Sequence, residues 1–314
     1  MPSADGERFF PITIFQGEER RSRRTEEEAL RGRRFSSETD IQRHITNGFG
    51  SGAGASYLPW LRVQDVPSRG RSHKIQGVKI DRLHHLFSDL ERAYFLVCEF
   101  SENVVDIREQ YPLLPRESAQ AIASSIGVRY PKYPKTVLPY VMTTDFLLTI
   151  KKSDGSFKSV ARTIKYRSDL EGKQAKRTLE KLEVEKRFWT GQHVDWAIVT
   201  EEMFSPDLIK NLGLLRKFAQ LPRALAEPSL HSDFLEHLAS CRPYPWSTAE
   251  SLRKISARLF ISYQDSRALY HHLIWAKSIK VDLVGTPIQM TAPLPTFEII
   301  ENTAKILLAA EGLS

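Results

Sequence analysis

The chain has 314 residues, of which 41% are hydrophobic and 26% are charged, and its formal net charge is +7. This length fits two domains with an additional segment, and the hydrophobic fraction excludes a wholly disordered protein. The positive charge favours an anionic partner such as DNA, and two widely separated cysteines, Cys98 and Cys241, exclude a zinc ribbon or a disulfide framework.

The first fifty residues form a predicted basic and acidic extension that is partly disordered. Seven arginines between residues 20 and 34 stand beside the acidic run of residues 26–28. A solvated helix or tail and an arginine-rich arm along a DNA backbone both fit this pattern. Ser36 or Ser37 is a predicted N-cap for a short helix that ends at Asn47-Gly48, and residues 48–56 are a predicted flexible joint. No apolar run is long enough for a membrane span and no signal peptide is visible, so we expect a cytoplasmic protein.

Residues 51–203 have the pattern of one α/β domain. The predicted order is helix, strand, strand, strand, helix, strand, which is a β-meander followed by a crossover helix and a mixed sheet of four to five strands. The predicted elements are a helix over 88–99, a strand over 104–110, a loop over 112–139, strands over 140–150 and 157–166 joined by a turn, a helix over 174–189 with Leu179, Leu182 and Trp189 inside, and a buried strand over 194–200.

Residues 204–314 are mostly helical by pattern. Helices are predicted over 207–218, 230–240, 248–259, 265–277 and 297–310, and short strands over 278–283 and 288–292. Three helices followed by a two-stranded wing predict a winged-helix-like domain that binds DNA or a partner. Tyr270, His271, Trp275 and Lys277 stand on or just after the predicted recognition helix, where the aromatic side chains could equally belong to the core.

The predicted hairpin over residues 140–166 places an acidic and a basic side chain on one face. If Asp154 is the centre of its turn, cross-strand partners have numbers that sum to about 308, which places Asp145 opposite Thr163 and puts Lys165 on the same face. A carboxylate that binds Mg²⁺ and a lysine that positions water or stabilises a phosphate suit phosphodiester hydrolysis. A structural Asp145–Lys165 ion pair is the alternative.

A second carboxylate is expected from Glu91, near the start of the helix that would pack on the sheet. Glu91 follows Ser88 by three residues, so its side chain could instead complete a capping box at that helix start. The residues alone leave both roles open.

Five segments strongly resemble the TnsA endonucleases of heteromeric bacterial transposases. They are LPWLRVQDVPSRGRSHKI (58–75), HHLFSDLE (84–91), DIREQYPLLP (106–115), VMTTDFLL (141–148) and LEKLEVEKRFW (179–189). The resemblance implies a restriction-endonuclease-like fold and an endonuclease that depends on Mg²⁺, with Mn²⁺ able to substitute. It implies nicking of double-stranded DNA at the 5′ ends of a transposon, beside a TnsB-type transposase and a TnsC-type ATPase that contacts the C-terminal region. A bacterial, nucleoid-associated location follows from the same resemblance.

By this resemblance Glu91, Asp145 and Lys165 match the family's catalytic residues, and Glu185 is a further acidic site residue or a solvated partner of a nearby lysine. The family's lysine strand usually has Gln, and related nucleases have Glu or Asp, where this chain has Thr163. A hydroxyl is a poor substitute for a carboxylate as a Mg²⁺ ligand. The backbone carbonyl of Ile164 remains available as a third metal ligand beside Glu91 and Asp145. Weaker, partner-dependent activity is therefore expected.

A basic segment before the catalytic helix is a predicted phosphate-contacting loop, or else an ordinary solvated surface. The predicted DNA-binding residues are Arg69, Arg71, His73, Lys74, Lys79, Arg82 and Lys277, and His84 is predicted to shape the site wall. Two other functions fit the same residues. One is a DNA-binding adaptor that joins the transposase to the ATPase without cutting, and the other is a free-standing restriction or repair nuclease.

Overall fold

The computed structural model describes residues 35–65, 71–172 and 175–300. In chain order its elements are α1 (Glu38–Thr46), β1 (His73–Gln76), β2 (Leu83–Leu86), α2 (Asp89–Phe100), β3 (Val104–Pro112), α3 (Arg116–Ser125), β4 (Thr143–Lys151), β5 (Phe157–Ile164), α4 (Ala175–Gly191), β6 (Asp195–Val199), α5 (Pro206–Leu215), α6 (Pro228–Ser240), α7 (Thr248–Leu259), α8 (Tyr263–Trp275), β7 (Ile279–Val281) and β8 (Phe297–Ile299). Within these ranges no helix has the length and apolar character that crossing a bilayer requires.

The central sheet has the strand order β3-β4-β5-β6. The first three strands form an antiparallel meander, and β6 joins β5 in parallel after the crossover through α4. The predicted αβββαβ order and the mixed four-stranded sheet are therefore confirmed. The strand predicted as buried, β6, is an edge strand whose side chains are mostly half-buried.

Alternating side chains place a hydrophobic cluster on each face of this sheet. Phe146 of β4 packs with α2 residues such as Phe95. The next residue, Leu147, packs on the opposite face with Phe188 of α4 and with α3. Because successive strand residues point to opposite faces, one meander buries both helical layers. The site-bearing helix α2 is thus held tightly on the sheet.

The described part of the N-terminal segment packs on this core. Ser37 caps α1 and forms a capping box with Asp40, as expected for a helix start. Ile41 lies in a cluster with Trp60 and other apolar residues. Residues 48–56 were predicted as a flexible joint, but they pack against β3, since a Cβ on Gly50 would meet the Pro112 ring at 2.4 Å. The domain boundaries remain predictions, and residues 1–34 lie outside the described ranges.

Three predictions for residues 51–203 are wrong. The predicted loop over 112–139 contains α3, whose buried alanines give little periodic signal and whose flanking prolines resemble helix breakers. The predicted basic loop contains the antiparallel hairpin of β1 and β2. Leu179 is 44% exposed, while Leu182 and Trp189 are buried as predicted.

The C-terminal part has its own core, formed by α5 to α8 and the β7–β8 pair. Four of the five predicted helices are present. The second wing strand is Phe297–Ile299 and not residues 288–292, so a helix starting at residue 297 is wrong, and the rest of that predicted helix lies outside the described ranges. Leu96 of α2 also lies in this core, so one helix serves two hydrophobic clusters.

Candidate active site

The predicted acid–lysine pair is formed. The observed register pairs Phe146 with Arg162, numbers that sum to the predicted 308 and place Asp145 opposite Thr163. Lys165 follows β5, and its Nζ lies 3.1 Å from Asp145 Oδ2 and 2.7 Å from the Ile164 carbonyl oxygen. The tight turn at Asp154 sets this register, because a one-residue slip would turn the whole strand over.

Glu91 lies at the capped start of α2 but does not complete the capping box, because its carboxylate accepts the Phe87 amide and not the Ser88 amide. Ser88 Oγ accepts a hydrogen bond from the Glu91 amide at 3.0 Å, and the Glu91 carboxylate accepts one from the Phe87 amide at 2.9 Å. Burial raises the pKa of the Glu91 carboxyl to about 8, and the nearby charge of Asp145 adds to the increase. The start of α2 therefore holds the Glu91 carboxyl close enough to Asp145 of β4 for the charge of Asp145 to raise its pKa.

Asp145 is held by the strand beside it. Its Oδ2 accepts the Ile164 amide at 2.7 Å, in addition to the bond from Lys165. Its Oδ1 has a long contact of 3.5 Å to Gln110 Nε2. These contacts orient both carboxylate oxygens at the end of the sheet, where β4 and β5 open toward a cavity.

Gln110 is a site residue that the sequence analysis missed. It stands between the paired positions of β3 that face Thr144 and Phe146, hence opposite Asp145. Its backbone has φ +50°, a left-handed conformation that L residues rarely adopt, and its side chain is buried. Thr143 Oγ1 donates to its Oε1 at 3.1 Å. A glutamine within a regular strand pattern carries no signal of this role.

Glu185 on α4 is a buried acid that lines the same cavity as Asp145 and Lys165. Its Oε1 accepts hydrogen bonds from Thr144 Oγ1 at 2.7 Å, from Trp196 Nε1 at 3.1 Å and from Thr163 Oγ1. Burial raises the pKa of this carboxyl to about 7, and the charge of Asp145 contributes. The hydroxyl of Thr163 is thus engaged with Glu185.

Lys165 keeps its charge despite burial. Burial opposes the ammonium form, but the carboxylates of Asp145 and Glu185 outweigh it, so the pKa of Lys165 is raised above its usual value. The side chain borders a cavity of about 530 Å³ that Asp145, Thr163 and Glu185 also line. Lys132 and Lys181 line the same cavity. A cavity with cationic and acidic walls can admit a phosphate with an accompanying cation.

The donor set fits a divalent cation with oxygen ligands. Glu91, Asp145 and the Ile164 carbonyl supply two carboxylates and one main-chain oxygen, and Mg²⁺ often takes one or two carboxylates and completes its shell with water and substrate phosphate. Burial is the main cause of the raised pKa values of Glu91 and Glu185, and the charge of Asp145, which a cation would offset, adds to the increase. Among the described residues no group of three or more His, Cys, Asp or Glu side chains could hold a metal.

The predicted DNA-binding residues do not form one surface. Arg82 is buried, and its guanidinium donates to Glu109 Oε1 at 2.7 Å. Lys79 Nζ donates to backbone carbonyls, including that of Val104 at 2.6 Å. Lys277 lies 4.8 Å above the Phe100 ring. These three cations make contacts within the protein. The prediction that Arg82 binds DNA is wrong, because its buried side chain cannot reach a phosphate.

The remaining predicted residues are closer to solvent. Arg71 and Lys74 are exposed, and His73 Nε2 lies 2.7 Å from the Asp89 carboxylate. Arg69 lies outside the described residues. Only part of the predicted basic segment is therefore placed to meet a phosphate.

Two further predictions concern histidines and the recognition helix. His84 Nδ1 lies 2.9 Å from Glu109 Oε2, so His84 belongs to the buried Arg82–Glu109 cluster and not to the site wall. Tyr270 and His271 on α8 are both buried. Helix α8 is surrounded by α5, α6 and α7 and cannot enter a DNA groove along these residues, because they lie inside the C-terminal core.

The chain is similar to known transposition endonucleases. Residues 101–201 match the family model described as TnsA-like endonuclease N terminal. The chain is 46% identical over 179 residues to the transposon Tn7 transposition protein TnsA of Escherichia coli. This match covers 57% of the chain and 63% of the relative, so the chain spans less than two thirds of the relative's length. The predicted resemblance to TnsA and the restriction-endonuclease-like fold class are confirmed.

Proposed function

We propose that this chain, whose residues 101–201 match the TnsA-like N-terminal endonuclease model, is a DNA endonuclease that acts in transposition. The observation that carries the proposal is the Asp145–Lys165 pair at one cavity, with the Glu91 carboxyl close enough for the charge of Asp145 to raise its pKa. An acid pair and an ammonium at the open end of a sheet suit hydrolysis of a phosphodiester.

Each residue has a distinct part in the proposed reaction. Glu91, Asp145 and the Ile164 carbonyl would hold Mg²⁺, or Mn²⁺ in its place, which lowers the pKa of bound water and offsets phosphate charge. Lys165 stays protonated and stabilises the negative charge that develops on the phosphate. Glu185 is placed to hold or release a proton near neutral pH, since its pKa is about 7.

The relative is a transposon transposition protein, which supports transposon DNA as the substrate. The strand and the partners rest on the resemblance to TnsA that the sequence analysis describes. We infer that the chain cuts the strand at the 5′ ends of a transposon in double-stranded DNA. A TnsB-type transposase would cut the other strand, and a TnsC-type ATPase would bind through the C-terminal region. The second, helical core of residues 206–299 offers a surface for such a partner.

Nicking of labelled transposon-end DNA by the full chain with its transposase tests this function. We expect Asp145→Ala and Lys165→Ala to lower the nicking rate by roughly a hundredfold or more, since each removes charge stabilisation at the reacting phosphate. Lys158→Gln is the control, because Lys158 is exposed near the far end of the hairpin. EDTA should abolish nicking and Mn²⁺ should restore it. Wild-type rates in both site variants would refute the proposal.

A DNA-binding adaptor without cutting activity is the second candidate. The engagement of the Thr163 hydroxyl with Glu185 favours it, because this strand position offers the metal no carboxylate. Binding of end DNA without nicking in either Mg²⁺ or Mn²⁺, with the transposase present, would establish the adaptor. Nicking that needs no transposase would instead indicate a free-standing nuclease.

A further inference from the structure

A second cavity, of about 430 Å³, lies where the β1 strand, the α2 helix and the α5 segment meet. We name it the β1–α2–α5 groove. Its lining residues include His73, Lys74, Arg92, Gly213, Arg216 and Lys217. The elements that carry these residues pack in both hydrophobic cores of the chain, and α2 contributes to both of them.

Three of the groove's cations are free to meet a ligand. In the part of the chain that the structure describes, Lys74, Arg92 and Lys217 have no carboxylate at ion-pair distance. Lys74 and Lys217 are exposed and Arg92 is half-buried. The Arg92 guanidinium lies beside α5, because a Cβ on Gly213 would be 3.7 Å from Arg92 Nη2.

The other charged groups of the groove already have partners. Arg216 forms an ion pair with the buried Glu99 and donates to the Gln76 carbonyl. His73 binds Asp89, which is the acidic side chain that lies at the groove's edge. The Arg216 contacts fasten the hairpin to the C-terminal core. They therefore hold the groove's two walls together and leave a net positive charge between them.

The groove lies close to the candidate active site. Asp89 and Glu91 occupy the same first turn of α2, and Asp89 contacts the groove through His73 while Glu91 belongs to the site. Two positions around one helical turn are separated by no more than the helix diameter, about 10 Å. A duplex carries one charge per about 1.7 Å of its axis, so DNA seated at Glu91 must place other phosphates within reach of the groove.

We propose that the β1–α2–α5 groove binds backbone phosphates of the substrate duplex through Lys74, Arg92 and Lys217. This inference rests on the proposed function and adds a phosphate-binding site that spans both cores. The closeness to Glu91 favours DNA over an acidic peptide, since only a polyanion that continues into the active site needs cations at this position. The groove sets where the duplex lies and carries no base specificity.

Fluorescence anisotropy with a labelled 30-base-pair duplex tests the groove. The full chain is titrated in EDTA at several salt concentrations, and Lys74→Gln, Arg92→Gln, Lys217→Gln and their triple combination are compared with wild type. Each lost contact should weaken binding roughly tenfold near 0.1 M salt and reduce the slope of log K against log salt by about 0.9. The control Lys158→Gln should match wild type in affinity and slope.

The outcomes separate the groove from the nuclease. Asp145→Ala should bind the duplex with the wild-type slope of log K against log salt. A loss of nicking without a change in this slope therefore concerns the candidate active site and not the groove. A triple variant with wild-type affinity and slope overturns the groove, whether or not the chain nicks DNA. A triple variant that binds DNA normally but no longer binds a polyglutamate peptide also overturns it, in favour of a peptide site.

Discussion

Two carboxylic acids at the candidate site, Glu91 and Glu185, lie in surroundings that oppose their ionisation. Their pKa values are raised from 4.5 to about 8 and about 7, first by burial and then by Asp145. Both acids therefore keep a proton in the folded chain at pH values where the unfolded chain has released it. These two acids therefore lower the free energy of unfolding without metal as pH rises from about 4.5 through about 8. Burial lowers the pKa values of His85 and His271 to about 4, so these two side chains raise it up to about pH 6.5, and the net decrease lies above that pH.

We expect this decrease in melting profiles of the EDTA-treated chain between about pH 6.5 and pH 8. Glu91→Gln and Glu185→Gln should each flatten the decrease, because an amide does not titrate. Mg²⁺ should raise the melting temperature more at pH 8 than at pH 5, since ionised carboxylates bind it. A profile with the same slope in wild type and in both variants would contradict the raised pKa values.

Gln110 tests whether a strained backbone position serves the site. Its left-handed φ brings a buried amide 3.5 Å from Asp145, and such a conformation persists only where the surrounding structure holds it. Gln110→Gly and Gln110→Asn both tolerate the backbone but lose the reach of the amide. We expect either variant to lower nicking about tenfold or more with little change in melting temperature. Equal rates in wild type and both variants would leave Gln110 with a purely structural role.

The β1–β2 hairpin is positioned by a buried polar cluster. Glu109 accepts bonds from Arg82 and His84, and these bonds hold the pKa of Glu109 at about 2 although burial alone would raise it. A Cβ on Gly77 would lie 2.0 Å from the Ile80 carbonyl oxygen and 2.8 Å from His84 Nε2. The hairpin turn thus has no room for a side chain.

Gly77→Ala should therefore destabilise the chain by about 2 kcal/mol, because backbone and the His84 ring must shift. For a chain of this size such a change lowers the melting temperature by roughly 3 °C. Gly191→Ala is the matched control, since nothing lies within 4 Å of its added Cβ. Similar melting temperatures for the two variants would argue against a packed hairpin turn.

At the scale of the whole molecule, α2 connects the central sheet to the C-terminal core. Phe95 packs on the sheet, whereas the adjacent Leu96 lies with Leu212 and Leu215 of α5. A fragment that ends at residue 204 would expose Leu96 and its apolar neighbours. We expect this fragment to melt at a lower temperature than the full chain and to associate on size exclusion, because it exposes an apolar patch. A monomeric fragment with the full melting temperature would show that the two cores are independent.

Local pattern accounts for much of this architecture. The Ser88 cap of α2 and the turn at Asp154 follow from short-range chemistry, and they place Glu91 and the Asp145–Lys165 pair. Helix α3 was missed because small buried alanines hardly differ from a loop pattern. The strand over 297–299 was missed because it is stabilised by pairing with β7, which the hydrophobic pattern of so short a segment does not reveal.

The sequence by itself determined the order of the sheet, the hairpin register and the pair of residues that face each other across it, because turns, caps and alternation act over a few residues. Only the tertiary structure decided that Arg82 is buried, that Gln110 reaches Asp145 and that Thr163 binds Glu185. It also brought Arg92 and Lys217 to one groove. Those outcomes join segments 20 or more residues apart, and burial and charge pairing across such separations leave no period in the chain.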